Sequence, residues 1–269
     1  MIRLIVIFGL LFAVHGVNAA NWPQFRGAGA LGVAEHPHLP SEWSATQNVR
    51  WKTAIPGHGW SSPIVWGDQV FLTTVTTDGR QWEARKGLYF GGNRYQPPTG
   101  THHWKVLCLS LTTGKVLWER TALSGKPRGS IHIKNSYASE TPITDGERVY
   151  AYFGNHGLFC YDLKGSLLWK KQWPAVKTRY GWGLAASPVL HQGGLYVVND
   201  NEEQSYLVAL DAKTGKQLWR TNRGGEKSNW STPFIWENKL RTEIITPGTN
   251  KNRAYSLDGK LLYQFGGNS

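Results

Sequence analysis

Short stretches in which apolar and polar residues alternate recur along the chain, and each is bounded by Gly, Asp or Asn. Examples are "VFLTT" (70–74), "VYAYF" (149–153) and "LYVVN" (195–199). A two-residue period is typical of β-strands, and the bounding residues are those of tight hairpin turns. The pattern predicts an all-β protein built from short antiparallel strands.

A longer period groups these strands into units. The phrases "VLW", "LLW", "QLW" and "LLY" end at residues separated by 51, 50 and 44 positions, namely Trp118, Trp169, Trp219 and Tyr263. Each is preceded by a Ser/Thr-Pro strand that begins at Ser62, Thr141, Ser187 or Thr232. Four strands per unit predict the blades of a β-propeller. We expect the proline strand to be the innermost, strand A, and the tryptophan strand to be the outermost, strand D, with its ring filling the wedge between blades.

The repeats divide the chain into an N-terminal wrapping segment, 20–48, and a propeller domain, 49–269. Within the domain, we expect blades at about 60–122, 139–173, 185–223 and 230–265. The first blade contains an insertion, 76–102, which we expect to cap one face or to contact a partner.

A fifth strand of the tryptophan type, 49–55 around Trp51, has no blade of its own. Many propellers close by letting an N-terminal strand complete the last blade. We therefore expect strands A to C of that blade beyond Ser269, an open arc of about four blades in this chain, and roughly seven or eight blades in the whole propeller.

The beginning of the chain has the features of a secretory signal peptide. Arg3 precedes an apolar run, 4–14, and small residues precede a cleavage site after Ala19. The run is too short to span a bilayer, and no cysteine near the cleavage site offers a lipid anchor. We therefore expect an exported protein, periplasmic or extracellular, with no membrane span and no lipid anchor.

Charge and cysteine content narrow the function classes. The formal net charge is +12, but the basic residues are interleaved with acidic ones and form no run of five. A basic, solvated surface on an exported protein does not favour nucleic-acid binding. Cys108 and Cys160 align at one position of strand C in different blades, so we expect two free, buried thiols.

The loops that enter strand A should gather at one end of the propeller, which we call the A-loop face. They hold aromatic, cationic and amide side chains, a combination that can recognise a ligand or partner or can simply pack the loops together. The candidate binding residues are Trp60, Asn135, Tyr137, Glu140, Arg179, Tyr180, Trp182, Lys227 and Trp230. We expect Glu140 either to pair with Arg179 or Lys134 or to face the channel.

The sequence contains no nucleophile motif and no phosphate-binding glycine loop, so no catalytic residue is predicted. The oxygen-rich stretch "NDNEE" offers weak metal candidates in Asp200, Glu202 and Glu203. It lacks the ligand spacing of a calcium loop, so no metal site is predicted.

The units "SPIVWGDQVFLTT" and "VLCLSLTTGKVLW" resemble the pyrroloquinoline-quinone-like (PQQ-like) repeat. From "NWPQFRG" (21–27) onward, the chain is similar to exported bacterial PQQ-like β-propeller proteins. This resemblance implies either a quinone-dependent dehydrogenase, with PQQ and calcium, or a non-catalytic scaffold such as the propeller lipoprotein of outer-membrane assembly. The dehydrogenases hold their quinone against a disulfide between adjacent cysteines, which this chain lacks.

We therefore expect a non-catalytic binding or scaffold protein with a protein, small-molecule or glycan ligand at the A-loop face and no cofactor. The first alternative is a PQQ-dependent oxidoreductase. The second is a carbohydrate- or cell-wall-binding propeller that uses Trp60, Trp182 and Trp230.

Overall fold

The computed structural model describes residues 21–34, 39–79 and 99–266. The predicted signal peptide and most of the predicted insertion lie outside these ranges. No helix in the described part of the chain is long and apolar enough to cross a membrane.

The described residues form four antiparallel sheets of four strands, and each sheet runs in the order A-B-C-D. Blade 1 contains β1 (Ile64–Trp66), β2 (Gln69–Thr77), β3 (His102–Ser110) and β4 (Val116–Gly125). Blade 2 contains β5 (Ile143–Thr144), β6 (Arg148–Tyr152), β7 (Leu158–Asp162) and β8 (Leu167–Lys171). Blade 3 contains β9 (Val189–His191), β10 (Gly194–Asn199), β11 (Tyr206–Asp211) and β12 (Gln217–Asn222). Blade 4 contains β13 (Phe234–Glu237), β14 (Thr242–Thr246), β15 (Asn252–Tyr255) and β16 (Leu261–Phe265). The sheets form an open propeller, which confirms the predicted fold class.

The Ser/Thr before each proline links one innermost strand to the next. The backbone N–H of Ser62 donates to Thr141 Oγ1 (3.0 Å), that of Thr141 to Ser187 Oγ (2.9 Å), and that of Ser187 to Thr232 Oγ1 (3.0 Å). The recurrence of Ser or Thr at this position thus has a physical cause, because each hydroxyl satisfies a donor of the preceding blade.

The outermost strands pack as predicted. The indole of Trp169 covers Gly215 in the next blade and donates from Nε1 to the carbonyl of Ala212 (3.1 Å). Trp118 and Trp219 make the equivalent contacts with the C–D turns of blades 2 and 4. A side chain on the turn glycine would overlap the ring, so tryptophan and glycine occur as a pair in the repeat.

Trp51 occupies the corresponding position on blade 1. Its ring covers Gly114, its Nε1 donates to Leu111 O (2.8 Å), and Thr53 Oγ1 donates to Gly114 O (2.6 Å). Residues 51–56 are not part of any sheet, whereas the sequence predicted a strand at 49–55. The segment makes the tryptophan contact but no backbone hydrogen bonds to a neighbouring strand, because no strand C lies beside it in the described structure.

Apolar clusters fill the wedges between neighbouring blades. Cys108 lies in the cluster of blades 1 and 2, and Cys160 lies in that of blades 2 and 3. Both are free and buried, as predicted, and burial raises the pKa of each thiol to about 12. They therefore act as small core residues.

The N-terminal segment 21–34 crosses the innermost strands at the end opposite the A-loop face. Trp22 forms a bridge with Val65, and the backbone N–H of Thr144 donates to Pro23 O (3.0 Å). The short 3-10 turn at Ala28–Ala30 lies against β13. This single segment therefore contacts blades 1, 2 and 4.

Candidate functional site

Hydrogen bonds between neighbouring loops fix the A-loop face. Trp60 Nε1 donates to Lys134 O (2.8 Å), Asn135 Nδ2 to Trp182 O (2.9 Å), and Trp230 Nε1 to Gly183 O (2.7 Å). Three of the predicted binding residues thus use their polar groups to connect the loops of adjacent blades. They hold the face in place, and their hydrogen-bonding groups are already engaged.

An aromatic cluster lies on this platform above blades 3 and 4. The ring of Trp182 lies 5.2 Å from that of Tyr180, 5.6 Å from that of Trp230 and 5.2 Å from that of His132, measured between centroids. The guanidinium of Arg179 lies over the Tyr180 ring at 5.3 Å. Tyr180 is half exposed and has a positive φ of 52°. Because a non-glycine residue in this region is strained, the loop holds Tyr180 outward at a conformational cost.

Trp60 does not join this cluster and lies against His58 instead, at 5.9 Å between centroids. The three tryptophans that the glycan-binding alternative groups together are therefore divided between two places on the face.

A groove of about 620 Å³ runs beside Tyr180, between the loops of blades 2 and 3. Asn155 connects its two walls, because its Nδ2 donates to Arg128 O (3.1 Å) and Val176 O (2.9 Å) while its Oδ1 accepts from Val176 N (3.0 Å). The side chains that line it include Arg128, Ser130, Lys177, Thr178 and Tyr180. The groove is large enough for a small ligand or for a short segment of another protein.

A second, smaller cavity of about 30 Å³ lies beneath the groove and shares several lining residues with it. This volume accommodates one or two water molecules. Its deeper walls include Tyr137, Glu140, Phe153 and His156. Tyr137 donates from its hydroxyl to Gly129 O (2.7 Å), which fixes the loop above the cavity.

Glu140 is 2% exposed, and the expected ion pair with Arg179 or Lys134 is not formed. Arg179 and Lys134 lie on exposed parts of the loops, so their charges remain at the surface while the carboxyl lies beneath it. Burial raises the pKa of Glu140 to about 8, although its own backbone N–H and that of Ser139 donate to the carboxyl and oppose this shift. The protonated, neutral form of the carboxyl therefore predominates at pH 7.

His156 is the principal site residue that the sequence analysis missed. Its ring stacks on Trp104 at 3.8 Å, and its Nε2 accepts the backbone N–H of Arg128 (3.2 Å). Burial, reinforced by the positive charge of Arg128, lowers the pKa of His156 to about 3. The histidine is a neutral acceptor that positions the loop of Arg128. The tight turn "GNHG" at 154–157 was the available signal.

Lys227 and the weak metal candidates have partners within the protein. Lys227 Nζ donates to Glu202 O (3.1 Å). Arg223 binds both carboxylate oxygens of Asp200 (2.7 and 3.0 Å) in a fully buried pair. Glu202 accepts the N–H of Ser228 and Glu203 accepts that of Lys177, each at 3.2 Å. Throughout the described ranges, no three His, Cys, Asp or Glu side chains are grouped so that they could hold a metal ion.

Comparison with known proteins gives a family match over much of the chain. Residues 94–172 and 160–268 match the family model described as outer membrane protein assembly factor BamB. The BamB of Yersinia pestis is 21% identical over 231 residues, which are 75% of this chain and 54% of that protein. A polyvinylalcohol dehydrogenase of a Pseudomonas species is 24% identical over 215 residues, which are 74% of this chain and 27% of that enzyme.

Solved structures show the same fold. The quinohemoprotein alcohol dehydrogenase of Comamonas testosteroni superposes with a TM-score of 0.55 at 12% identity, over 94% of this chain and 42% of that enzyme. The related enzyme ADHIIG of Pseudomonas putida HK5 gives 0.51 at 14% identity, over 80% of this chain and 35% of its own. The chain thus spans about a quarter to a half of the length of these relatives.

Proposed function

Because the chain belongs to the family of the outer membrane protein assembly factor BamB, we propose that it is an exported, non-catalytic scaffold propeller. In this proposal, a partner protein binds at the A-loop face, in the groove between blades 2 and 3 and on the adjacent Tyr180 ring. The observation that carries the proposal is the construction of this face. Hydrogen bonds between loops fix a platform that presents an exposed aromatic ring beside a groove of about 620 Å³.

The composition of the groove favours a protein partner. It combines two exposed cations, Arg128 and Lys177, and one exposed carboxylate, Glu203, with hydroxyl groups and the half-exposed Tyr180. Tyrosine and arginine are enriched at protein interfaces, where they supply contact area and hydrogen bonds to carboxylates. A rigid platform also reduces the conformational entropy that binding must overcome.

The alternative, quinone-dependent oxidation, has less support from the residues of the face. The resemblance to quinoprotein dehydrogenases implies a disulfide of adjacent cysteines, whereas Cys108 and Cys160 are buried in strands of different blades. Glu140, the carboxyl of the small cavity, is buried, and in the described ranges it belongs to no group of three His, Cys, Asp or Glu side chains that could hold a metal ion. The described residues do not fit a quinone with its calcium ion, and we derive no reaction step through them.

Site-specific photo-crosslinking in the producing cell tests the binding proposal. A photoreactive phenylalanine at Tyr180 should give a discrete adduct with another protein. The same residue at Leu240, which is 86% exposed on blade 4, is the control for non-specific capture. The same adducts from both positions, or none from Tyr180, would contradict the proposed binding face.

A separate assay tests the proposal that the protein is non-catalytic. We expect the purified protein, incubated with pyrroloquinoline quinone and calcium, to give no dye-linked oxidation of alcohols or sugars. Saturable turnover would establish the oxidoreductase alternative instead.

A further inference from the structure

The outer edges of blades 2 and 3 carry an unusual concentration of positive charge. It lies on the outermost strands, β8 and β12, and on the C–D turn that precedes each. The cationic residues, which we call the basic rim, are Lys164, Lys170, Lys171, Lys213, Lys216 and Arg220. All lie on the side of the blade that is farthest from the innermost strands.

Few acidic groups balance these cations. Each of the two stretches contains three cations and one aspartate, which gives a net charge of +2 per blade (3 − 1). Asp162 accepts the N–H groups of Lys164 and Ser166, and Asp211 accepts that of Thr214, so both carboxylates are held within their own turns. Among the described residues, no member of the basic rim takes part in an ion pair.

A contact between the two blades places the two halves of the basic rim at adjoining edges. The Trp169 ring of β8 lies on Gly215 of the next C–D turn, and its Nε1 donates to Ala212 O. This contact brings the strand that carries Lys170 against the turn that carries Lys213. The two halves of the basic rim therefore lie beside each other on the outer edges of neighbouring blades.

Exposed leucines are interspersed with these cations. Leu167, Leu168 and Leu218 are 50%, 49% and 56% exposed, although they lie in strands. Single exposed apolar residues are ordinary, but three of them on one charged surface give that surface both an apolar and a cationic component.

We propose that the basic rim docks this protein on the surface of a bilayer that contains anionic phospholipid. In this arrangement, the leucines enter the boundary between headgroups and acyl chains, and the lysines reach the phosphates along their flexible stems. The five lysines among the six cations favour lipid over an acidic protein, because lysine is depleted in protein–protein interfaces. This proposal concerns the outer edge and is independent of the binding proposed at the A-loop face.

Vesicle flotation tests this inference. The full chain and the chain cleaved after Ala19 are both used, because the apolar run 4–14 would itself bind lipid. We expect the cleaved chain to float with vesicles of 30% phosphatidylglycerol in phosphatidylcholine, to float far less with pure phosphatidylcholine, and to be released by high salt.

The triple variant K164Q/K170Q/K213Q should weaken this binding roughly a hundredfold, since each cation near an anionic bilayer contributes about fivefold. K126Q/K239Q/K251Q removes the same charge from exposed positions outside the basic rim and should bind almost as tightly as the wild type. L168S/L218S should also reduce binding, because the apolar component is lost.

Three results would overturn the proposal: equal loss in both triple variants, no preference for phosphatidylglycerol, or binding of polyglutamate in place of vesicles. The last result would assign the basic rim to an acidic protein. All substitutions are at exposed positions, and unchanged thermal unfolding would verify that each variant is folded.

Discussion

At the scale of single residues, the contrast between Glu140 and Asp200 shows how the protein treats buried carboxyl groups. Asp200 is fully buried, and burial raises its pKa, but Nε and Nη2 of Arg223 donate to its two carboxylate oxygens and oppose that shift, so its negative charge is compensated. Glu140 has two backbone donors and no cation, so its charged form is disfavoured and its pKa rises to about 8. A carboxyl kept neutral in this way makes the stability of the fold depend on pH.

The first prediction follows from this shift. In the unfolded chain the Glu140 carboxyl loses its proton near pH 4.5, but in the folded chain it keeps the proton up to about pH 8. Between these values the folded state binds more protons at Glu140, so the contribution of Glu140 to the free energy of unfolding should fall as pH rises through this window and level off above it. His156, whose pKa is lowered to about 3, contributes in the opposite direction below about pH 6.5, so the Glu140 contribution is read from the difference between the wild type and E140Q. Each unit of pKa difference corresponds to ~1.4 kcal/mol, so the fall should amount to a few kcal/mol.

E140Q should abolish most of this decline, and denaturant unfolding between pH 4 and 9 measures it. E147Q removes the same charge from a side chain that is 76% exposed and should keep the wild-type slope. Parallel profiles for the wild type and E140Q would show that Glu140 does not titrate as inferred.

At the scale of structural elements, the contact between the tryptophan of one blade and the turn glycine of the next determines how blades stack. Gly215 has a φ of +71°, and an added Cβ would lie 2.6 Å from the Trp169 ring. Gly193 has a similar φ of +77°, but nothing lies within 4 Å of its added Cβ. A side chain at Gly193 would therefore meet only the cost of the left-handed backbone, whereas a side chain at Gly215 would also clash with the Trp169 ring.

We predict that G193A costs about 1–2 kcal/mol, from the left-handed backbone alone. G215A should cost a further 1–3 kcal/mol or so, because the methyl group displaces the indole. Urea unfolding of the two variants provides the comparison. Equal destabilisation would show that the wedge accommodates a side chain and that the glycine is required only for the turn.

The sequence was sufficient to predict these elements because the repeat encodes them locally. Pro63 and its equivalents mark strand A, and Gly215 and its equivalents mark the turn on which a tryptophan packs. The segment around Trp51 lies outside the four sheets of the described structure, and its pairing in a closing blade stays a prediction, because a strand needs a neighbour that a local pattern cannot supply.

The candidate site was less predictable, because it is formed by loops that do not repeat. The chemistry of Glu140 depends on whether a cation reaches it, and this depends on the backbone path of loops distant in sequence. His156 and Arg128 come together only when the turn after β6 packs against the loop after β4. The residue types at the A-loop face were identifiable from sequence, but the groove between them was not.

At the scale of the whole molecule, each blade taken by itself contacts only the blades next to it. In such an arrangement each unit is stabilised by the units beside it, and unfolding can begin at either end. The segment 21–34 departs from this scheme, because it contacts blades 1, 2 and 4 at once. We expect this segment to make the four blades unfold more cooperatively than the apolar clusters between neighbouring blades would by themselves.

Replacing Trp22 tests this expectation. Trp22 is half-buried, packs over Gly27 and bridges Val65, so W22A should cost about 2 kcal/mol, roughly half the loss for a fully buried tryptophan. If the segment couples the blades, hydrogen exchange should accelerate in β5 and β13 as well as in β1, although Trp22 itself forms its bridge with β1. W43A, at a side chain that is 70% exposed, should change stability by less than about 0.5 kcal/mol. Faster exchange confined to β1 would mean that the segment stabilises blade 1 alone. Cooperative unfolding of the blades would then come from the apolar clusters between neighbouring blades.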